Sequence, residues 1–538
     1  MKPKIIPWIP AGCLLFSLTA GCLHHSGPTS VRQKTKSPAP ELAQVPTWSP
    51  DDLNFFLHGS MSTEFVPETV LRAFMRTYPE MFPSADFSHL GLIPDPAFGW
   101  PVGFSRKTVP HLGGLSSVGV NCASCHVGEL TPAGGGANVR VLGMTSHFDA
   151  EGFFGAVIVS TFRTADPAGM KQFLAAYLAV NDPRSGDPGQ NLFAQQWSQQ
   201  EEKIKSAMTA EAMKKNADGL RTINGRELRL DAKSLAHGED LAALSVSMLN
   251  LFHNMRAALH VPDAPPEKVP PPSGPGRNDA FGLLSAELFG EPQPPAPVKF
   301  GLVWNVEQRH WVHWDGNTQS PLGRNLLASL GLGTPLIGRH GDLDFALVQR
   351  QTDISEIIRP PRYPFAIDEA AAQRGAAHYQ TLCAACHSGA ETDARLHSPA
   401  EIGTDPTRAA VFTPHQAGLF DKFLAELEIP GYAPPAMPGI RSTQKYWAAS
   451  LGGVWARSPY LHNGSVRTME ELLTPPAGRP KTFHRGSRVY DPAQMGYTDE
   501  GAYLFETTGP GNASTGHDYG ATLSAEQKRE LIEYLKTL

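Results

Sequence analysis

A pentapeptide that occurs twice constrains this chain more than any other feature: Cys122-Ala123-Ser124-Cys125-His126 and Cys383-Ala384-Ala385-Cys386-His387. In C-x-x-C-H, two thiols and an imidazole stand at the spacing that attaches a c-type haem. The thiols add to the two vinyl groups, and the adjacent His falls under the iron as proximal ligand. A zinc site would pair two C-x-x-C units at short sequence spacing, and a thioredoxin-like pair needs no following His. The chain has six Cys. Once Cys13 and Cys22 are placed in the N-terminal segment, none is left for a disulfide. The expectation is two covalent c-type haems, one on Cys122, Cys125 and His126, the other on Cys383, Cys386 and His387.

The N-terminus reads as an address. Lys2 and Lys4 precede a mostly apolar stretch from Ile5 to Thr19, interrupted by Pro7 and Pro10, and small residues Ala20 and Gly21 lead into Cys22. That is the order of a secretory signal, too short and broken for a stable transmembrane helix. Leu18-Thr19-Ala20-Gly21-Cys22 resembles a bacterial lipoprotein cleavage site with Cys22 as the lipidated residue. The expectation is a lipoprotein-type signal peptide over 1–21, a Pro-rich flexible tether over 22–50, and a periplasmic or outer-membrane protein held by a lipid anchor. The 538 residues are 41% hydrophobic and 18% charged, a globular balance, while 51 Gly and 48 Pro point to extensive loops. The net charge is −6 with no long like-charge run, so there is no electrostatic footprint for nucleic acid.

The two motifs sit in unlike settings. Before the second, Asp368 is placed to cap a helix over Glu369–Leu382, with Gly375 and Tyr379 four apart on one face, where another helix can approach closely. Ser524-Ala525-Glu526-Gln527 forms a capping-box pattern before Leu531, Tyr534, Leu535 and Leu538 at helical spacing. This pair of helices around a haem resembles the class I cytochrome c fold. The first motif follows Gly113–Asn121, which reads as a turn or short strand. Behind it come Gly134-Gly135-Gly136 and the cluster His147, Phe148, Phe153 and Phe154, expected to shape a distal pocket or simply to be core. Glu129 and Glu151 are nearby acid/base candidates. Residues 262–365 comprise a Pro-rich loop and a Trp-rich region in which Trp304, Trp311 and Trp314 are candidates for an electron relay between haems, with core packing as the alternative. The expected fold is mainly α with extensive loops: a first haem domain over 51–261, the 262–365 region, and a class I cytochrome c-like domain over 366–538.

Ser458-Pro459-Tyr460-Leu461-His462-Asn463-Gly464-Ser465-Val466, with Trp455, Thr468 and Leu472, closely resembles a stretch of the bacterial di-haem cytochrome c peroxidase superfamily. Gly99–Phe104, His313-Trp314-Asp315-Gly316-Asn317, Phe505, Gly511-Asn512 and Gly516–Gly520 are most similar to the rubber oxygenase branch. That resemblance implies a bis-His second haem with His517 as distal ligand. Met437, in a Met-Pro pair, and His462 are the alternatives, and Met469 lies too close to His462 for the peroxidase pattern. It also implies an oxidoreductase, peroxidase-like or dioxygenase-like, whose first haem meets O2 or peroxide. Its second haem would exchange electrons with a partner such as a small cytochrome c or copper protein. The alternative is a non-catalytic di-haem electron-transfer lipoprotein. Calcium between the domains stays open, without a residue pattern to support it.

Overall fold

A computed structural model of the protein describes residues 44–184, 186–212, 223–225, 227–261, 272–335, 343–427, 433 and 439–538. The expected signal peptide with Cys22, most of the expected tether, the start of the Pro-rich stretch and Met437 lie outside the described residues. Helices make up 46% and strands 12%, so the α-dominant expectation holds only in part. Short strands do much of the joining.

One sheet ties the segment after the first pentapeptide to the C-terminal region. Strand Val127–Pro132 begins at the residue after His126 and pairs antiparallel with Val139–Leu142 across the Gly-rich turn. On its other edge it pairs parallel with Val489–Asp491, which pairs in turn with Gly496–Tyr497. A second sheet places Leu115–Val120 between Glu64–Pro67 and Phe104–Val109, antiparallel to both. Its central strand is the extended entry to Cys122 expected from the sequence.

The C-terminal region packs as the residue pattern implied. Asp368 caps helix Glu369–Leu382 through the Ala371 amide, and Ser524 caps Ala525–Lys536 in a capping box with Gln527. The two helices cross at Gly375, where a Cβ would overlap the backbone carbonyl of Glu530. Arg374 and His378 reach the Glu530 carboxylate on one side of the crossing, and Tyr379 meets Tyr534 on the other, ring centroids 5.1 Å apart. Leu531 and Leu535 are buried in a core cluster that also takes Trp304, Trp455, Tyr490 and Ala123. That cluster therefore spans from beside the first pentapeptide to the C-terminal helix. A separate aromatic core holds Phe65, Phe87, Phe104, Phe148 and Phe153.

Candidate haem sites

The first pentapeptide is a single helical turn, Cys122–His126, whose start is set by Asn121. The Asn121 Oδ1 accepts from the Ala123 amide at 2.9 Å, while its Nδ2 donates to the carbonyls of Phe56 and Gly59 at 3.2 and 2.9 Å. This fully buried side chain satisfies one orphan amide of the helix start and pins the turn to the end of helix Pro50–His58. Cys122, Cys125 and His126 all line one cavity of about 780 Å³, a volume in the range of cofactor sites. Burial lowers the His126 imidazole to about 4, so it is neutral, the form that binds a metal.

Other parts of the cavity wall are supplied by residues far away in sequence. His313 lies in the tight loop Val312–Thr318, closed by hydrogen bonds from Val312 N to Thr318 O and from Asn317 N to Val312 O. Its φ of 73° is costly for a residue with a Cβ and persists only where surroundings impose it. Its Nδ1 is 2.7 Å from Asn317 Oδ1, and the ring lines the cavity. Phe281 meets it edge-on at 5.1 Å. Arg309, Arg324 and Arg408 also line this space. Arg309 Nε and Arg408 Nη1 are buried without a hydrogen-bond partner. Buried cations with unspent donors suit the anionic carboxylates of a haem. The residues present fit a covalent haem here.

The structure divides the expected distal pocket. Glu151 and Phe154 line the cavity. Phe148 and Phe153 do not, because they are the fully buried centre of the aromatic core. His147 packs edge-on against Tyr497 at 4.5 Å and borders a different, small pocket. Glu129 turns away into an ion-pair cluster with Arg140 and Arg488, at 3.9 and 3.6 Å. Closeness in sequence does not reveal this: Glu129 sits on strand Val127–Pro132, where successive side chains alternate faces, while core packing takes Phe148 and Phe153 and the Tyr497 contact takes His147. Of the relay candidates, Trp314 lines the cavity and donates to the Lys299 carbonyl at 3.0 Å. Trp304 is core, bonded to the Leu142 carbonyl at 2.7 Å, and Trp311 stacks under Arg441. Trp447, not singled out from the sequence, lines the cavity as well.

Glu151 caught by Ser273 yields a direct test. Its carboxylate accepts from the Ser273 amide and hydroxyl, both at 2.7 Å. Burial outweighs these bonds and raises the carboxyl to about 7. A folded value above the unfolded one means stability present below about pH 4.5 and lost as pH rises through 7. Glu151→Gln removes the charge, with Oε1 accepting from the Ser273 amide and Nε2 donating to its hydroxyl, so the variant gains stability over the parent by about 2.5 kcal/mol between pH 5 and pH 8. Parallel pH profiles of thermal denaturation would remove Glu151 as a buried, titrating group.

At the second site, Cys383 ends the helix Glu369–Leu382 and the turn Ala384–His387 follows. His387 Nδ1 is fixed by the Ala449 carbonyl at 2.7 Å, which leaves Nε2 for a metal. Its ring faces that of His517, centroids 6.2 Å apart. Two imidazoles on opposite sides of one metal, with bonds of about 2 Å, hold their centroids at roughly that separation. The His517 loop is built for this. Gly516 packs against the Gly403 backbone, His517 N donates to Ile402 O at 2.9 Å, and Arg479 gathers the carbonyls of Ser514, Gly516 and His517. His462 stands elsewhere, stacked on Tyr446 at 4.1 Å. The residues present at the second site also fit a haem, which His387 and His517 would hold. Among the described residues, no group of three or more His, Cys, Asp or Glu side chains is arranged for a metal ion, which gives calcium no support.

Comparison with known proteins bears on this C-terminal region first. A family model described as RoxA-like, cytochrome c-like, matches residues 445–484. The match covers Ala449, whose carbonyl fixes the His387 ring, and Arg479, which binds the His517 loop; the pentapeptide and His517 lie outside it. Uncharacterized protein y4iM of Sinorhizobium fredii (strain NBRC 101917 / NGR234) is 32% identical over 320 residues, covering 51% of this chain and 72% of that protein. The chain belongs to one family with y4iM. Uncharacterized protein y4iJ of the same strain is similar over more of its length, 28% identical over 585 residues and covering 89% of each chain. The RoxA-like, cytochrome c-like domain implies c-type haem and haem-dependent redox chemistry.

Proposed function

We propose that the protein is an exported di-haem c-type oxidoreductase in which the first haem activates peroxide or O2 and the second transfers electrons. The observation that supports this most is the asymmetry of the two attachment sites. His387 faces a second imidazole, whereas His126 opens on a large cavity. When bound, the haems supply one-electron chemistry and, at an open axial position, a place for O2 or peroxide. The chain supplies the attachment thiols, the proximal His126 and His387, the cap His517, and cations for the haem carboxylates.

One segment links the two sites. Trp447 and Ala449 line the cavity, while the Ala449 carbonyl holds His387. With Trp314, this segment is the proposed route between haems. The donor or acceptor is a small cytochrome c or copper protein, and lipidated Cys22 tethers the protein in the periplasm or at the outer membrane.

Cys122→Ser with Cys125→Ser, and separately Cys383→Ser with Cys386→Ser, are each expected to halve the covalent haem measured as pyridine haemochrome. An unchanged content in either variant would refute attachment at that motif. The capped pair at the second site favours electron carriage there. A carrier with both irons capped would differ by refusing exogenous ligands at both haems.

A further inference from the structure

We propose that His313 is the proton-accepting base of the first haem pocket, built for a hydroperoxide and not for molecular oxygen. This deepens, and rests on, the reading of the first haem as the reactive one. The inference comes from which nitrogen of His313 carries its proton. Asn317 Nδ2 donates to Asp315 Oδ2 at 3.2 Å, and Thr318 Oγ1 donates to Asn317 Oδ1 at 2.9 Å. Both bonds orient the amide so that its oxygen faces His313 Nδ1, at 2.7 Å. The Thr318 hydroxyl oxygen is a second acceptor at 3.2 Å. Nδ1 is therefore the protonated nitrogen, and Nε2 presents a lone pair. The ring lies deep in the protein and its accessible surface opens on the cavity that holds His126. Burial keeps it neutral, at about 3.

A lone pair facing the pocket accepts a proton and has none to give. A hydroperoxide has a proton to transfer: the O–H bond breaks, an N–H bond forms at Nε2, and a hydroperoxide anion and an imidazolium result. The imidazolium is held through Nδ1–H by Asn317, and Arg324, close enough to bear on both His126 and His313, offsets the anion. Molecular oxygen carries no proton to lose and gains no hydrogen bond from this tautomer. Glu151, another acid/base group on the cavity wall, is the weaker candidate because Ser273 occupies both its oxygens.

The test uses the haem-loaded protein with His313→Gly, which suits the positive φ, and His313→Asn, which tolerates it. Cyanide arrives as its acid and must lose a proton to bind ferric iron, whereas carbon monoxide binds ferrous iron with no proton to lose. Both variants are expected to take up cyanide and react with hydrogen peroxide at the first haem about 100-fold more slowly or worse. Their carbon monoxide association should stay within a few-fold. An unchanged cyanide rate, or equal slowing of cyanide and carbon monoxide, would overturn the base. So would a low-spin first haem that turns high-spin in the variants, since His313 would then be a ligand. If the unsubstituted protein binds neither cyanide nor carbon monoxide at that haem, the reactive-haem reading itself fails.

Discussion

Replacing His517 with methionine is expected to raise the midpoint potential of one haem by on the order of 0.2 V and to leave the other unchanged. Axial-ligand identity is the strongest lever a protein has on haem potential, and His/Met ligation stabilises the reduced iron relative to bis-His. The position is rigid: Gly516 is wedged against Gly403 and Arg479 binds three carbonyls of the loop. The side chain can change while the backbone that aims it stays. His517 has a φ of 46°, so methionine adds strain of about 1 kcal/mol there, small beside the potential shift. A potentiometric titration with both midpoints unmoved would show that His517 does not ligate the second haem.

The second large effect lies at the helix crossing beside that haem. Gly375→Ala is expected to destabilise the C-terminal region by about 2–4 kcal/mol, although Ala is the better helix former by about 1 kcal/mol. The added methyl would meet the Glu530 backbone carbonyl, which cannot turn aside as a side chain can. Gly418→Ala in helix Pro414–Glu426 is the matched control, because open space surrounds that position. It should stabilise by about 0.5–1 kcal/mol. Opposite signs in urea denaturation of the two holoproteins are the expected outcome. Stabilisation by both would mean that the helices do not cross as tightly as the structure has them.

The sequence was most legible where chemistry and local geometry coincide. The pentapeptides carry their spacing within five residues, and Asp368, Gly375, Ser524 and Gln527 act within one turn of their helices. His517 was reached through resemblance, and the structure brings it to His387. What sequence order could not convey is which side of the first pentapeptide each neighbour faces. His147, Phe148, Phe153 and Glu129 follow the motif closely, yet the Tyr497 contact, the aromatic core and the Arg140/Arg488 ion pairs take them away from the cavity. His313 comes from a distant loop, and the sequence offers it only within a stretch of resemblance, without a role. The signal available was the run His313-Trp314-Asp315-Gly316-Asn317: an Asp-Gly turn that folds Asn317 back onto the imidazole. The strands were underestimated because Val489–Asp491 and Gly496–Tyr497 are too short for a period to register.

The asymmetry of the two sites is tested most directly by electron paramagnetic resonance of the fully oxidised holoprotein, recorded before and after cyanide is added. The expected result is one low-spin haem per chain that ignores cyanide, as His387 and His517 require, and a second whose signal is converted by it. Two signals that both persist unchanged would contradict the account, leaving a carrier with two capped haems.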